Sequence, residues 1–177
     1  YSLEAEQAVL GAILIDPKCL NDIAVTVKTD YFYLPQHKDI YSAISTMYEF
    51  NQVIDFVSLL EKLKSNGTYD DDGGKAYLTQ LAQSVASSAN VLEYVAIIRD
   101  KYYSRSLLNA AKDIIKDVDE NVLDSGKLID NAEQKIFEIR SGREVSGLTH
   151  IKQVLENETY DIFRTTYNGS AYQFVKN

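Results

Sequence analysis

Between Asn90 and Gly126 the chain contains neither proline nor glycine. Val91, Val95, Ile98, Tyr102, Leu108, Ala111, Ile115 and Val118 recur there as one approximate helical stripe. Asn90, with Glu93 three positions on, supplies a capping pair for its start. About 30 residues at 1.5 Å each make a rod of roughly 45 Å, longer than a small head needs to cover its own core. The break at Asp124, Ser125 and Gly126 begins a shorter helix with Ile129, Ala132, Ile136 and Ile139. The two rods are therefore expected to fold back as an antiparallel hairpin. A hairpin that projects from a head leaves apolar surface its own chain does not cover, so a partner is implied. The expected interface residues are Tyr102, Leu108, Ile115, Ile129 and Ile136.

Upstream, nearly every segment reads as helix, and no alternating run predicts a sheet. Ala5, Ala8, Val9, Ala12 and Ile13 fall at helical spacing, with Ser2 as cap and Glu4 and Glu6 in the first turns. Asp16-Pro17 ends that helix and opens a second lined by Leu20, Ile23, Ala24 and Val27. Pro35 opens a third, with Ile40, Tyr41, Ile44, Met47 and Tyr48 on one side. Asp55 caps a fourth, bearing Phe56, Leu59, Leu60 and Leu63, which stops near Asn66 and Gly67. Leu78, Leu81, Ala82 and Val85 mark a fifth. The fold class is all-α: a globular helical head over residues 1–89, a long hairpin over 90–141, and a hinge with a separate helix over 142–177.

Composition limits what such a chain can do. It has 177 residues, 45% of them apolar, enough for one ordinary core with an extension. The longest mostly apolar run, Ala8 to Ile15, is far shorter than the roughly 20 residues of a membrane span, so no membrane is expected. Cys19 is the single cysteine, which excludes an internal disulfide, fits a reducing cytoplasm, and reads as a core residue. Net charge is −8, with six Lys/Arg against twelve Asp/Glu up to Asn90 and twelve against fourteen beyond it. Neither half is made to neutralise a phosphate backbone. The segment RDKYYSR, Arg99 to Arg105, holds three positive charges among aromatics but suits a solvated helix face. Because residue 1 is tyrosine rather than methionine, the sequence is expected to begin inside a longer protein.

Catalytic signatures fail one by one. YDDDGGKAYLTQL, Tyr69 to Leu81, superficially offers a phosphate or calcium loop. A Walker-type loop needs glycine where Tyr69 stands and a hydroxyl where Ala76 stands. A calcium loop from Asp70 needs glycine and glutamate where Lys75 and Leu81 stand. The expectation is a connector, with Gly73 and Gly74 turning the backbone and Asp72 near a helix N-terminus. His37 and His150 lie on different expected helices without a histidine partner one turn away, and each reads as a surface or cap residue. Asp113 and Asp117 are placed on a solvent face. No catalytic, metal or nucleotide-binding residue is expected.

The stretch RSGREVSG, Arg140 to Gly147, reads as a hinge. Thr149 can cap a last helix whose Ile151, Val154, Leu155 and Ile162 share a side without a local core, and these are expected to dock outside the chain.

Six segments carry a resemblance: EAEQAVLGAILID (Glu4 to Asp16), YFYLPQHKDIY (Tyr31 to Tyr41), IDFVSLLEKLKSNG (Ile54 to Gly67), GGKAYLTQLAQSV (Gly73 to Val85), ANVLEYVAIIRDKYYSRSL (Ala89 to Leu107) and AEQKIFEIRSG (Ala132 to Gly142). In order and spacing they resemble the N-terminal domain of the bacterial replicative DNA helicase family, DnaB. That resemblance implies a head and hairpin through which subunits pair, giving a dimer and then a trimer-of-dimers collar on a hexameric ring. It also implies docking of primase and a linker helix, here LTHIKQVLENETYDIF from Leu148, packing on the neighbouring subunit's ATPase domain. No cofactor is implied for this chain; ATP and magnesium belong to the motor domain, which would also make most contacts with DNA. The family's linker leads into a Thr-Gly-rich entry to that motor, whereas TTYNGSAYQFVKN stands here. Two alternatives share the pattern: the helicase-binding domain of primase, which the linker helix disfavours, and a freestanding all-α dimeric adaptor.

Overall fold

A computed structural model describes residues 1–67, 69, 71–120 and 124–143. The described residues form helices without strands: α1 (Leu3–Ile15), α2 (Leu20–Ile23), α3 (Pro35–Glu49), α4 (Phe56–Ser65), α5 (Asp71–Gln83), α6 (Val91–Asp119) and α7 (residues 125–143).

α1 is the central post. Its segment from Ala8 to Ile13 is buried on all sides, because α3, α5 and α6 pack around it. Ser2 caps it, its hydroxyl accepting from the Ala5 amide at 3.3 Å. Gly11 is required there by close approach: a Cβ would run into the Leu81 carbonyl of α5. Pro17 opens a single 3₁₀ turn, Pro17–Cys19, before α2, and Pro35 opens α3. Asp55 caps α4 through the Ser58 amide at 2.8 Å. Gly67, at φ +73°, follows α4 in the left-handed region.

The end of α3 carries a feature that sequence reading left out. Asn51 adopts φ +51°, the Gln52 amide donates to the Met47 carbonyl, and the Asn51 amide donates to the Tyr48 carbonyl. This is a Schellman closure with asparagine in the glycine position. It turns the chain towards α4.

The core gathers Leu10 and Ile13 of α1, Leu20 and Ile23 of α2, Tyr31 and Phe32, Ile40, Tyr41 and Ile44 of α3, Leu59 and Leu63 of α4, and Leu78 of α5. Cys19 is buried in it, as expected, and burial pushes its thiol up to about 11. Three expectations are corrected. Gly73 and Gly74 lie within the first turns of α5, not in a turn before it. A Cβ on Gly74 would meet Tyr69 at 2.9 Å and Leu60 at 3.0 Å, so close packing explains that glycine. Asn90 gives α6 no side-chain cap. Finally, helix α7 continues through Arg140, Ser141, Gly142 and Arg143, the first half of the expected hinge.

Candidate interface on the hairpin and its junction with the head

α6 runs from the head into the hairpin, and the surroundings of its stripe change along the way. Val91, Val95 and Ile98 are buried in the head at 4%, 3% and 1% exposure. Farther along, Leu108, Ile115 and Val118 are 55%, 61% and 52% exposed. α7 returns beside it, started by Asp124, whose carboxylate accepts from the Lys127 amide at 3.0 Å. That bond holds the Asp124 carboxyl below its ordinary value.

Inside the hairpin Lys135 pairs with Asp117 at 2.7 Å. Asp117 therefore faces α7, not solvent as its spacing suggested. Ala110 is buried, and Tyr103 and Leu107 line a groove with Ile136 and Ile139. On the outer side Ile129, Ile136 and Phe137 are 60%, 49% and 66% exposed. Four of the five expected interface residues, Leu108, Ile115, Ile129 and Ile136, are thus left about half exposed or more by the described residues. Tyr102 is placed differently. It packs on the core with its ring 5.1 Å from that of Tyr31.

The junction fixes how the hairpin leaves the head. Arg105 donates from Nη2 to the Tyr31 carbonyl at 3.0 Å and lies over the rings of Tyr33 and Tyr102. Tyr103 also approaches Tyr31, with ring centroids 6.2 Å apart. A guanidinium that joins two elements by hydrogen bonds and ring faces is a directional clamp.

The head hides a polar network that sequence reasoning missed. His37 is fully buried, contrary to the surface or cap role expected of it. Its Nδ1 lies 2.7 Å from Glu6 Oε2 and its Nε2 2.7 Å from the Tyr77 hydroxyl. Glu6, 1% exposed, also accepts the Tyr33 amide at 2.8 Å and the Leu34 amide at 3.4 Å. One carboxylate therefore ties α1 to the entry of α3, and the imidazole extends the link to α5. Within this network both Glu6 carboxylate oxygens, both His37 nitrogens and the Tyr77 hydroxyl have partners, the condition under which such burial is tolerated. The detectable signal was a glutamate two positions before the run Ala8 to Ile13, which is apolar on every side of its helix. Among the described residues no group of three or more His, Cys, Asp or Glu could hold a metal. No described helix is long and apolar enough to cross a membrane. His150 and the expected docking residues Ile151, Val154, Leu155 and Ile162 lie outside the described residues.

A helical head with a projecting, outwardly apolar hairpin defines an all-α module with a face left for a further surface. Residues 1–100 match the DnaB-like helicase N terminal domain, and the chain belongs to that family. It is 33% identical over 156 residues to the replicative DNA helicase DnaB of Synechocystis sp., covering 88% of this chain and 18% of that protein. The crystal structure of the N-terminal domain of DnaB helicase from Mycobacterium tuberculosis superposes with a TM-score of 0.73 at 28% identity, over 77% of this chain and 96% of that one. A DnaB-like replicative helicase, described together with its interactions with primase, aligns at a TM-score of 0.64 and 28% identity over 78% of this chain and 30% of its own. The chain spans 18% to 34% of the length of the first curated relatives it matches.

Proposed function

We propose that this chain is the N-terminal assembly and primase-docking collar of a hexameric, ATP-dependent replicative DNA helicase. The observation that carries the reading is the hairpin's uncovered apolar face. Leu108, Ala111, Ile115 and Val118 repeat at three- and four-residue spacing on α6 beside Ile129 and Ile136 of α7, the pattern of a helix pair that buries its stripe on a second pair. Tyr102 stands at the base of this seam and sets its direction. The head, residues 1–89, would supply the rigid platform, and the hairpin, residues 90–141, the pairing element. Residues 142–177 would reach the neighbouring subunit's ATPase domain through Ile151, Val154, Leu155 and Ile162 in a helix-in-groove mode.

On this reading hairpins pair in twos and three pairs close a ring, holding six motors in register. Primase docks on the collar, as the relative described with primase supports. Catalysis, with ATP and magnesium, belongs to the motor domain, and the acidic balance of this chain suits a collar more than a DNA-gripping surface. The protein is expected to work in the cytoplasm. Mixing the chain with a bacterial primase and measuring the mass of the eluting species tests the docking function. A complex of the paired chain with primase is expected; separate elution at concentrations where the chain is paired contradicts the primase role.

A further inference from the structure

Where the hairpin leaves the head, a cleft of about 570 Å³ reverses the charge balance of the chain. It gathers Lys38, Arg105 and Lys112 against a single acid, Asp30, in a protein with 18 basic and 26 acidic side chains. Asp30 stands 3.6 Å from Lys38 and offsets that cation. Among the described residues neither Arg105 nor Lys112 meets a carboxylate within ion-pair distance. Arg105, Asn109 and Lys112 face the cleft from α6 at spacings of four and three, while Lys38 faces it from α3.

The same cleft presents aromatic surface. Tyr1 and Tyr33 are stacked with centroids 4.3 Å apart and planes 9° from parallel. They remain 62% and 46% exposed, and the Arg105 guanidinium lies 5.3 Å from the Tyr33 centroid. Two uncompensated cations beside an exposed, flat tyrosine stack match a ligand that is itself half anion and half aromatic ring. An inorganic anion would leave the tyrosines unused, and a neutral ring would leave the cations unused. The volume lies within the range of small-ligand sites, roughly 300–1,000 Å³.

We propose that this cleft binds a nucleotide unit. The base stacks on the tyrosine pair, and the phosphate meets Lys112 and Lys38 in the field of Arg105. A ligand held this way touches α3 and α6 together and ties the head to the base of the hairpin. The unit can be a free mononucleotide or one residue of a single strand, since both present the same chemistry.

Calorimetric titration of the full chain separates the cases. The probes are adenosine monophosphate, adenosine, inorganic phosphate, an oligothymidylate of about eight nucleotides, and a peptide of acidic and aromatic residues. The monophosphate or the oligonucleotide is expected to bind at least about tenfold more tightly than adenosine or phosphate, since only it uses both halves of the site. Lys112→Glu and Tyr33→Ala should each weaken that binding by about tenfold, Lys112→Glu without shifting the melting temperature. Lys62→Glu, on α4 and outside the cleft, should leave it unchanged. Tighter binding of the monophosphate identifies a free nucleotide, and tighter binding of the oligonucleotide identifies a strand. Absence of binding by both, indifference to Lys112→Glu, or binding of the peptide in place of both overturns the proposal.

Discussion

The head and the hairpin are made of the same element and treat apolar surface in opposite ways. In α1 every residue from Ala8 to Ile13 is buried, whereas the outer half of α6 exposes Leu108, Ile115 and Val118 by half or more. The contrast exists even within α6, whose first turns hold Val91, Val95 and Ile98 in the core. One periodic stripe thus crosses from a covered to an uncovered environment without any change in its own pattern. Periodicity says that a face must be covered; it does not say by which chain. In the head the chain itself supplies the neighbours, and in the hairpin the second copy proposed above would supply them.

The largest expected effect comes from the polar network buried in the head. Glu6→Ala removes the hydrogen-bond partner of two amides and of His37 at once, and should lower stability by several kcal/mol, since each buried polar group left unpaired costs about 1–3 kcal/mol. Asp117→Ala, at the half-exposed pair with Lys135, should cost under about 1 kcal/mol. Urea melts of both variants measure the difference, and similar costs would erase the distinction between a rigid head and a lightly fastened hairpin.

Apolar truncation sharpens the same comparison. Ile44→Ala opens a cavity in a fully buried site and should cost about 2–5 kcal/mol. Ile115→Ala, at 61% exposure, should change the unfolding free energy of the unpaired chain by less than about 0.5 kcal/mol. Measured at dilutions where pairs dissociate, an equal loss at both positions would mean that the hairpin face is covered from within.

A smaller effect is expected in acid. Backbone amides hold the carboxyls of Asp55 and Asp124 below their ordinary value of 3.8. A lowered folded value means that each cap stabilises fully above the ordinary range and is lost as pH falls through it to the folded value. Helix starts at Ser58 and Lys127 should therefore lose amide protection below about pH 3.8, α7 before α4 because it has fewer neighbours. Hydrogen exchange followed by mass spectrometry reads this order; simultaneous loss with the core would contradict it.

Much of the head was legible because its signals are local. Ser2 and Asp55 cap helices through contacts within three residues, Pro17 and Pro35 open theirs, and all four act as their residue types suggest. Gly73 and Gly74 misled for a related reason: glycine signals backbone freedom locally, while Gly74 answers to Tyr69 and Leu60 packed against it. The network of Glu6, His37 and Tyr77 joins residues 31 and 40 positions apart, so no window of sequence contains it. The hairpin's uncovered residues were legible as a stripe. Tyr102 was not separable from them, because its burial depends on Tyr31, which arrives from a distant part of the sequence.

Light scattering of the full chain, alone and carrying Leu108→Asp together with Ile129→Asp, tests the hairpin's role as a seam most directly. The account predicts a dimer or a larger even assembly for the unaltered chain and a monomer for the double variant, whose head still melts at the original temperature. A monomer in both samples, or a double variant that stays paired, would contradict it.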